Sequence, residues 1–379
     1  MRSLHLRSVA VVGVAMTKFD KHPDRSVEDL ARQAVVGALR DAGVEKTGVE
    51  AAYVGHLYQG EVLGQRILRG LGFPPIPVLN VENACASGSS ALREAWIAVG
   101  AGLYDVALVV GAEKMRKGLL QFVDRDLEVA MGNTAPAQYA LAGRRHMEEF
   151  GTSREQFAQI SVKNHRHGCL NPHAQYQTAC TLEEVLSSRL IADPLTLLQC
   201  CPAGSGAAAV VVATDAVARR LTTLPVWIRA AALRPWMSYF APTDLTSFGA
   251  TAVTARDAYA MAGVGPEDLD VVELHDAFTV GELLHCEGLG LCAKGEGGRL
   301  VAEGATELAG RIPVNPSGGL LAKGHPLGAT GVAQVVELVW HLRGQAGARQ
   351  VPGARVGLAH SQGGTGLEAG ACTVTILGR

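Results

Sequence analysis

The 379-residue sequence predicts a layered α/β fold made of two related halves. Three observations carry this reading. Valine- and alanine-rich runs alternate with helical runs at the spacing of strand–helix–strand units. The stretch "ALRDAGVEKTGVEAAYVGHL" (Ala38 to Leu57) recurs in outline as "AYAMAGVGPEDLDVVELHDA" (Ala258 to Ala277), 220 positions later. Each half also holds a glycine-rich loop that opens into an apolar helix.

In the first half, "SVAVVGVAM" reads as an opening strand, followed by a helix that ends at Ala-Gly-Val with Gly43 as its cap. An acidic turn and the strand "VEAAYVGHL" come next. "IPVLNVENA" has strand composition and leads into Cys85, and "CASGSSALREAWIAVGAG" continues as a helix without a breaker from Ser89 to Val99. "DVALVVGAE" then reads as a buried strand. The second half repeats the order with Gly263 as cap, "LDVVELHDA", the loop and helix "GHPLGATGVAQVVELVWHL", and the strand "ARVGLAH". Between the halves, the helical runs "PAQYALAGRRHMEEFG" and "SREQFAQISVKNHRHG" have apolar faces that must be buried, which points to an insertion folded over the first half. "CPAGSGAAAVVVATDAVARR" returns to strand-then-helix grammar. The expected division is an N-terminal half over 1–116, an inserted loop domain over 117–202, a return to the first half over 203–222 and a C-terminal half over 223–379. The sheet is expected to be mixed and mostly parallel.

Composition narrows the function. With 34 basic against 36 acidic residues, nothing favours nucleic acid or an anionic membrane as partner. No run approaches the roughly 18 apolar residues of a membrane helix, so membrane insertion is not expected. The first residues read as a strand rather than a leader peptide. Eight cysteines without a CxxC pair suggest a reduced, cytoplasmic protein. His165 to Cys169 and the pair Cys200–Cys201 lack zinc spacing, so no metal is expected.

Four strand ends could carry chemistry, because sites in α/β folds gather where strands end and helices begin. Taken alone, Cys85 reads as a buried small residue, as most free cysteines are. At the start of a helix, however, the helix dipole would stabilise a thiolate. His325, in Gly-His-Pro within the loop "NPSGGLLAKGHPLGATG", can take a proton from a thiol and form a thiolate–imidazolium pair. In "VVELHDAF", His275 could polarise a carbonyl or hold a water in an oxyanion hole, and Asp276 could equally be a structural acid. His360 ends a fourth strand in "GLAHSQGGTG", whose glycine N–H groups can face an anion.

Together these residues resemble the thiolase superfamily, and the resemblance runs over nearly the whole chain. Its motifs are Cys-x-Ser (Cys85-Ala86-Ser87), Gly-His-Pro (Gly324-His325-Pro326) and a version of Asn-Glu-Ala-Phe (His275-Asp276-Ala277-Phe278), with "MGNTAP" (Met131 to Pro136) similar to the start of the loop domain. The histidine version points to the sterol-carrier-protein type, acetyl-CoA acetyltransferase-like, and to its bacterial or archaeal relatives. The resemblance implies a five-layered α-β-α-β-α fold and a homodimer or tetramer. It also implies acylation of Cys85 by an acyl-CoA and transfer of the acyl group to the α-carbon of a second acyl-CoA or to CoA. His325 would activate Cys85, and with a water on His275 it would stabilise the enolate. Cys85, Gln362 and Gly363 would form the oxyanion hole, while Met131, Ser247, Ala277 and Phe278 would contact substrate. No cofactor is implied beyond the CoA thioesters; a small partner with a zinc ribbon and an OB-fold is.

One departure stands out. Many thiolases have a second cysteine in Cys-x-Gly near the C-terminus, and some sterol-carrier-protein types place it inside His-Asp-x-Phe. Here those positions read His360-Ser361-Gln362-Gly363 and Ala277. Either His360 moves the α-carbon proton, or another group does, or the full condensation is lost. The alternatives are a C-acyltransferase with a non-CoA acceptor and a partner-dependent subunit with a modified site.

Overall fold

The computed structural model describes residues 6–116, 130–221, 224–235, 244–364 and 370–379. The strands are β1 (Val9–Met16), β2 (Ala51–Gly55), β3 (Val78–Val81), β4 (Val106–Glu113), β5 (Leu190–Ala192), β6 (Leu195–Thr196), β7 (Gly206–Thr214), β8 (Val226–Arg234), β9 (Val271–Glu273), β10 (Val356–Gly363) and β11 (Ala371–Gly378). The helices of the first half and the insertion are α1 (Val27–Ala42), α2 (Leu63–Leu71), α3 (Ser87–Gly100), α4 (Ala135–Phe150), α5 (Arg154–Cys169), α6 (Leu182–Ser187) and α7 (Asp215–Ala218). Those of the second half are α8 (Gly249–Ala262), α9 (Thr279–Gly288), α10 (Gly297–Ala302), α11 (Gly319–Lys323) and α12 (Leu327–Arg343).

The internal repeat is structural as well as textual. Helices α1 and α8 both end on a glycine in the left-handed region, Gly43 and Gly263, each at φ 66°, where a side chain would be strained. Short 3₁₀ turns follow at Lys46–Gly48 and Pro266–Asp268, then β2 and β9, all at the same 220-residue spacing.

Nine strands hydrogen-bond in the order β3-β2-β4-β7-β1-β8-β11-β10-β9. The two halves run outward from a short seam, where β1 meets β8 at Ala10–Trp227 and Val11–Val226. In the second half the counterpart of β3 is reduced to a parallel bridge of Val314 beside Val272. The sheet is mixed, but five of its strand pairs are antiparallel and three parallel, which corrects the expectation of a mostly parallel sheet. The cause is β7 and β11, which return antiparallel to β4 and β10. A strand buried on both faces has the same valine- and alanine-rich composition in either direction.

Alternation along the strands builds the layers. Val9, Val11, Ala51, Tyr53, Ala107 and Val109 face one apolar cluster with α3 and α12. Their neighbours Ala10, Val12, Ala52, Val54 and Leu108 face α1 and α2 on the other side. In the second half, Ala230, Val272, Leu358 and Val374 pack outward against α8 and the end of α9. The result is five layers, helix–sheet–helix–sheet–helix, with α3 and α12 in the middle. Every residue of α12 except Trp340 is buried. Each of its Leu and Val side chains contributes about 1.5–3 kcal/mol by leaving water.

Glycine sets how closely the central helices approach. A Cβ added at Gly88 would stand 2.4 Å from the Gly328 carbonyl oxygen, and one at Gly111 would meet the same oxygen at 2.4 Å. A Cβ at Gly55 would lie 2.6 Å from Gly88 Cα, and one at Gly328 would lie 2.6 Å from His56 Cα. The N-terminal turns of α3 and α12 therefore meet backbone to backbone, over the ends of β2 and β4.

The insertion packs differently from the expectation. Tyr139, Ala142, Phe157 and Ile160 of α4 and α5 form one cluster with Phe278, Val280, Leu283, Leu284, Leu320 and Leu321. Among the described residues, the apolar faces of α4 and α5 thus close on α9 and α11 of the second half rather than on the first half.

The glycine contacts give a test. Gly328→Ala should destabilise the protein by about 1–3 kcal/mol through overpacking, read as a lower urea midpoint. Gly48→Ala, whose Cβ would make only an ordinary 3.4 Å contact, should leave the midpoint nearly unchanged. Equal midpoints for both variants would show that the close approach is not required.

Candidate active site

Cys85 is held by a tight elbow between β3 and α3. Ala84 adopts φ 48°, a strained value for a residue with a side chain. The Glu82 carboxylate accepts from the Ala84 N–H at 2.6 Å. Ser87 Oγ donates to the Ala84 carbonyl at 2.6 Å and accepts from the Asn83 N–H at 2.9 Å. Ser361 on β10 donates to the Cys85 carbonyl at 3.2 Å. These bonds place the thiol at the head of α3.

His325 arrives at the head of α12. Thr330 Oγ1 donates to the Pro326 carbonyl at 3.0 Å, so its oxygen is left to accept from His325 Nδ1 at 2.8 Å. That fixes the tautomer: Nδ1 carries the hydrogen and Nε2 presents a lone pair. Glu113, at the end of β4, accepts from the N–H of Gly328 at 3.0 Å and from those of Leu57 and Tyr58 at 2.9 Å, and it also holds the Gln59 amide. A carboxylate of the first half thereby satisfies the first turn of a second-half helix.

His275 lies two residues past the end of β9, and its ring meets that of His325 edge-on, centroids 4.9 Å apart. The Cys85 thiol and one nitrogen each of His275 and His325 lie within 4.8 Å of one another, all three residues buried. Three such donors are also the ligand number of an open zinc site. Among the described residues this trio is where a metal ion could be held, and neither His165–Cys169 nor Cys200–Cys201 forms such a group.

Burial dominates the electrostatics. It pushes the Cys85 thiol up to about 12, with the Glu113 carboxylate adding to the effect. It also holds His325 well below the usual histidine range and lowers His275 to about 3. Glu113 itself is raised by burial, against the pull of its N–H donors. The resting pair is therefore a neutral thiol beside a neutral imidazole, in place of the thiolate–imidazolium pair expected from the helix dipole.

The trio opens on a cavity of about 330 Å³ whose wall includes Ala277, Phe278, Tyr139, Cys200 and Cys201. Of the other residues picked out from sequence, Ala277 and Phe278 reach this cavity, whereas Met131 is 86% exposed and neither it nor Ser247 lines it. Gln362 and Gly363 end β10 behind the Cys85 elbow. A Cβ at Gly363 would fall 2.0 Å from the Asn83 carbonyl oxygen, and the next residue, Gly364, is the one that reaches the cavity. His360 is fully buried and off the cavity wall. Its Nε2 pairs with Thr251 Oγ1 at 3.1 Å, and its Nδ1 accepts from the His275 N–H at 3.4 Å. Both ring nitrogens are thus occupied, and the residue props His275 from behind. Asp276 accepts from Leu320 and Leu321 N–H and from Asn164, so it is the structural acid of the two readings. Residues 365–366 of the glycine loop lie outside the described residues.

Sequence reading missed Glu113. Nothing local marks Glu113, since its partners lie 54 or more positions away. Cys201 is half-buried, and its N–H donates to the Ala277 carbonyl at 2.9 Å, next to the bridge between Cys200 and Phe278.

A thiol and two imidazoles at the meeting point of two duplicated halves define a class: transferases that carry an acyl group on a cysteine. The chain matches the thiolase N-terminal domain over residues 9–216 and the thiolase C-terminal domain-like family over 235–379. It is 45% identical over 373 residues to an acetyl-CoA acetyltransferase of Methanothermobacter thermautotrophicus, covering 95% of this chain and 97% of that protein. It is 43% identical over 379 residues to sterol carrier protein 2 of Bos taurus, covering 94% of this chain and 70% of that protein. Among solved structures, an Ltp2-ChsH2(DUF35) aldolase superposes with a TM-score of 0.87 at 28% identity, over 99% of each chain. The chain belongs to the thiolase family, and it is a thiolase-type acyltransferase.

The neutral resting thiol is testable. Alkylation of Cys85 by iodoacetamide should rise about tenfold per pH unit from 7 to 9, as expected for a thiol titrating above that range. A plateau near pH 7 would show a preformed thiolate instead.

Proposed function

We propose that Cys85 takes an acyl group from a CoA thioester, or from a 3-ketoacyl-CoA, and passes it to the α-carbon of a second acyl-CoA or to CoA. The observation that carries this reading is the approach of the Cys85 thiol to two imidazole nitrogens within 4.8 Å. In this mechanism His325 Nε2 takes the thiol proton as Cys85 attacks the thioester carbonyl, and returns it to the departing CoA sulfur. A neutral thiol–imidazole pair suits this, because charge then develops only along the attack. The Cys85 N–H and the backbone of the loop after His360 would hold the oxyanion of the tetrahedral intermediate, and Cys85 and Gly364 lining the cavity support this. His275, kept neutral, donates an N–H toward the enolate oxygen, directly or through water. A cavity of about 330 Å³ accommodates the acyl and thioester end of a substrate, with the rest of CoA outside.

The eight cysteines, all free, support a cytoplasmic setting. No helix among the described residues is long and apolar enough to cross a membrane. We further propose a homodimer or tetramer, working with a separate small partner that carries a zinc ribbon and an OB-fold. The DUF35 component of the related aldolase supports the idea of a partner. An acceptor other than CoA or an acyl-CoA is not favoured, given the acetyl-CoA acetyltransferase among the relatives.

Incubation with acetyl-CoA should leave an acetyl group on Cys85, seen by mass spectrometry of the intact protein and its peptides. The adduct should vanish in Cys85→Ala, and its rate of formation should fall by about 10²–10⁴ in His325→Ala. An adduct on another residue, or none in the unaltered protein, would sink this reading.

A further inference from the structure

Making or breaking a bond at the α-carbon of a thioester requires a proton to move at that carbon, and the mechanism above has not supplied the group. Cys85 carries the acyl chain, His325 serves Cys85, and His275 is a neutral donor. His360 has both nitrogens occupied and lies off the cavity wall. Tyr139 reaches the cavity, but its ring is clamped between Phe278 and Phe248, with centroids at 4.6 and 5.6 Å, and burial pushes its phenol far up. Cys200 also reaches it, but its thiol donates to the Thr196 carbonyl at 3.4 Å.

Cys201 remains. Its backbone is fixed against the loop that carries His275, through the N–H bond to Ala277 and the bridge of Cys200 with Phe278. Cys201 is part of the wall of the cavity that Cys85, His275 and His325 also line. Burial is the main cause that raises its thiol above the ordinary range, and neighbouring Cys200, Asp276 and Cys85 act in the same direction. Its partner position, Ala277, has a methyl group that cannot move a proton.

Resting on the acyl-Cys85 reading, we propose that Cys201 is a further catalytic residue, the acid and base at the substrate α-carbon. In the cleavage direction His325 takes the Cys85 proton, and Cys85 forms a bond to the 3-keto carbon. The bond between that carbon and the α-carbon then breaks and leaves an acyl-CoA enolate. The Cys201 S–H protonates the enolate at carbon, and the His325 imidazolium reprotonates the Cys201 thiolate. The net result is transfer of the Cys85 proton to the α-carbon, and CoA then takes the acyl group and restores the Cys85 thiol. Burial holds the Cys201 thiol well above its ordinary range, so the acid form is the one present at rest. Condensation runs the same steps in reverse.

The test uses acetyl-CoA in D₂O with the full-length protein and the near-isosteric Cys201→Ser. Exchange of the acetyl α-hydrogens for deuterium, read by mass spectrometry, should fall at least about 100-fold. The acetyl adduct on Cys85 should still form, and the melting temperature should hold. Restoring a thiol at the facing position, in Cys201→Ser/Ala277→Cys, should bring exchange back. Undiminished exchange in Cys201→Ser overturns the proposal, as does loss of the Cys85 adduct together with exchange. So does exchange that is lost in His360→Ala while Cys201→Ser retains it. Absence of the adduct in the unaltered protein would instead count against the acyl-Cys85 reading itself.

Discussion

The arrangement depends on one steric constraint, the backbone contact between the first turns of α3 and α12. Gly88, Gly328, Gly55 and Gly111 leave no room for a Cβ between the helices and the strand ends beneath them. Cys85 sits just before one of these turns and His325 just before the other. A shift of about 1 Å there would separate thiol from imidazole, the scale at which misplacement costs orders of magnitude in rate. The sheets on either side, with α12 buried along almost its whole length, hold the two helix heads at that distance.

Glu113 ties the contact together electrostatically. It belongs to the first half, yet it accepts from the N–H of Gly328 in the second. The same carboxylate helps to keep the Cys85 thiol protonated. Position and protonation state are thus coupled through one side chain. His360, at the end of β10, supports this arrangement from behind by accepting from the His275 backbone.

The insertion contributes to the same site by an indirect route. Its helices α4 and α5 bury their apolar faces on α9 and α11, and the chain then passes through Cys200 and Cys201 beside Ala277 and Phe278. Tyr139 and the two cysteines thereby reach a cavity whose chemistry is otherwise provided by the two halves. The packing that closes the fold thus also brings two further cysteines to the cavity wall.

Much of this was legible in the residue order. The duplication, the glycine caps at Gly43 and Gly263, the strand–helix alternation and the positions of Cys85, His275 and His325 are local patterns. Backbone conformation and side-chain period write such patterns directly into sequence. Strand direction was not legible, because β7 and β11 would have the same composition pointing either way. Nor was the helix dipole a guide to the state of Cys85, since its effect is weighed against a burial that only packing creates. The placement of the insertion, the engagement of both His360 nitrogens, the reach of Glu113 and the arrival of Cys201 were all decided by tertiary structure. Each depends on contacts between segments tens to hundreds of residues apart, and no local pattern encodes which distant surface a side chain will meet.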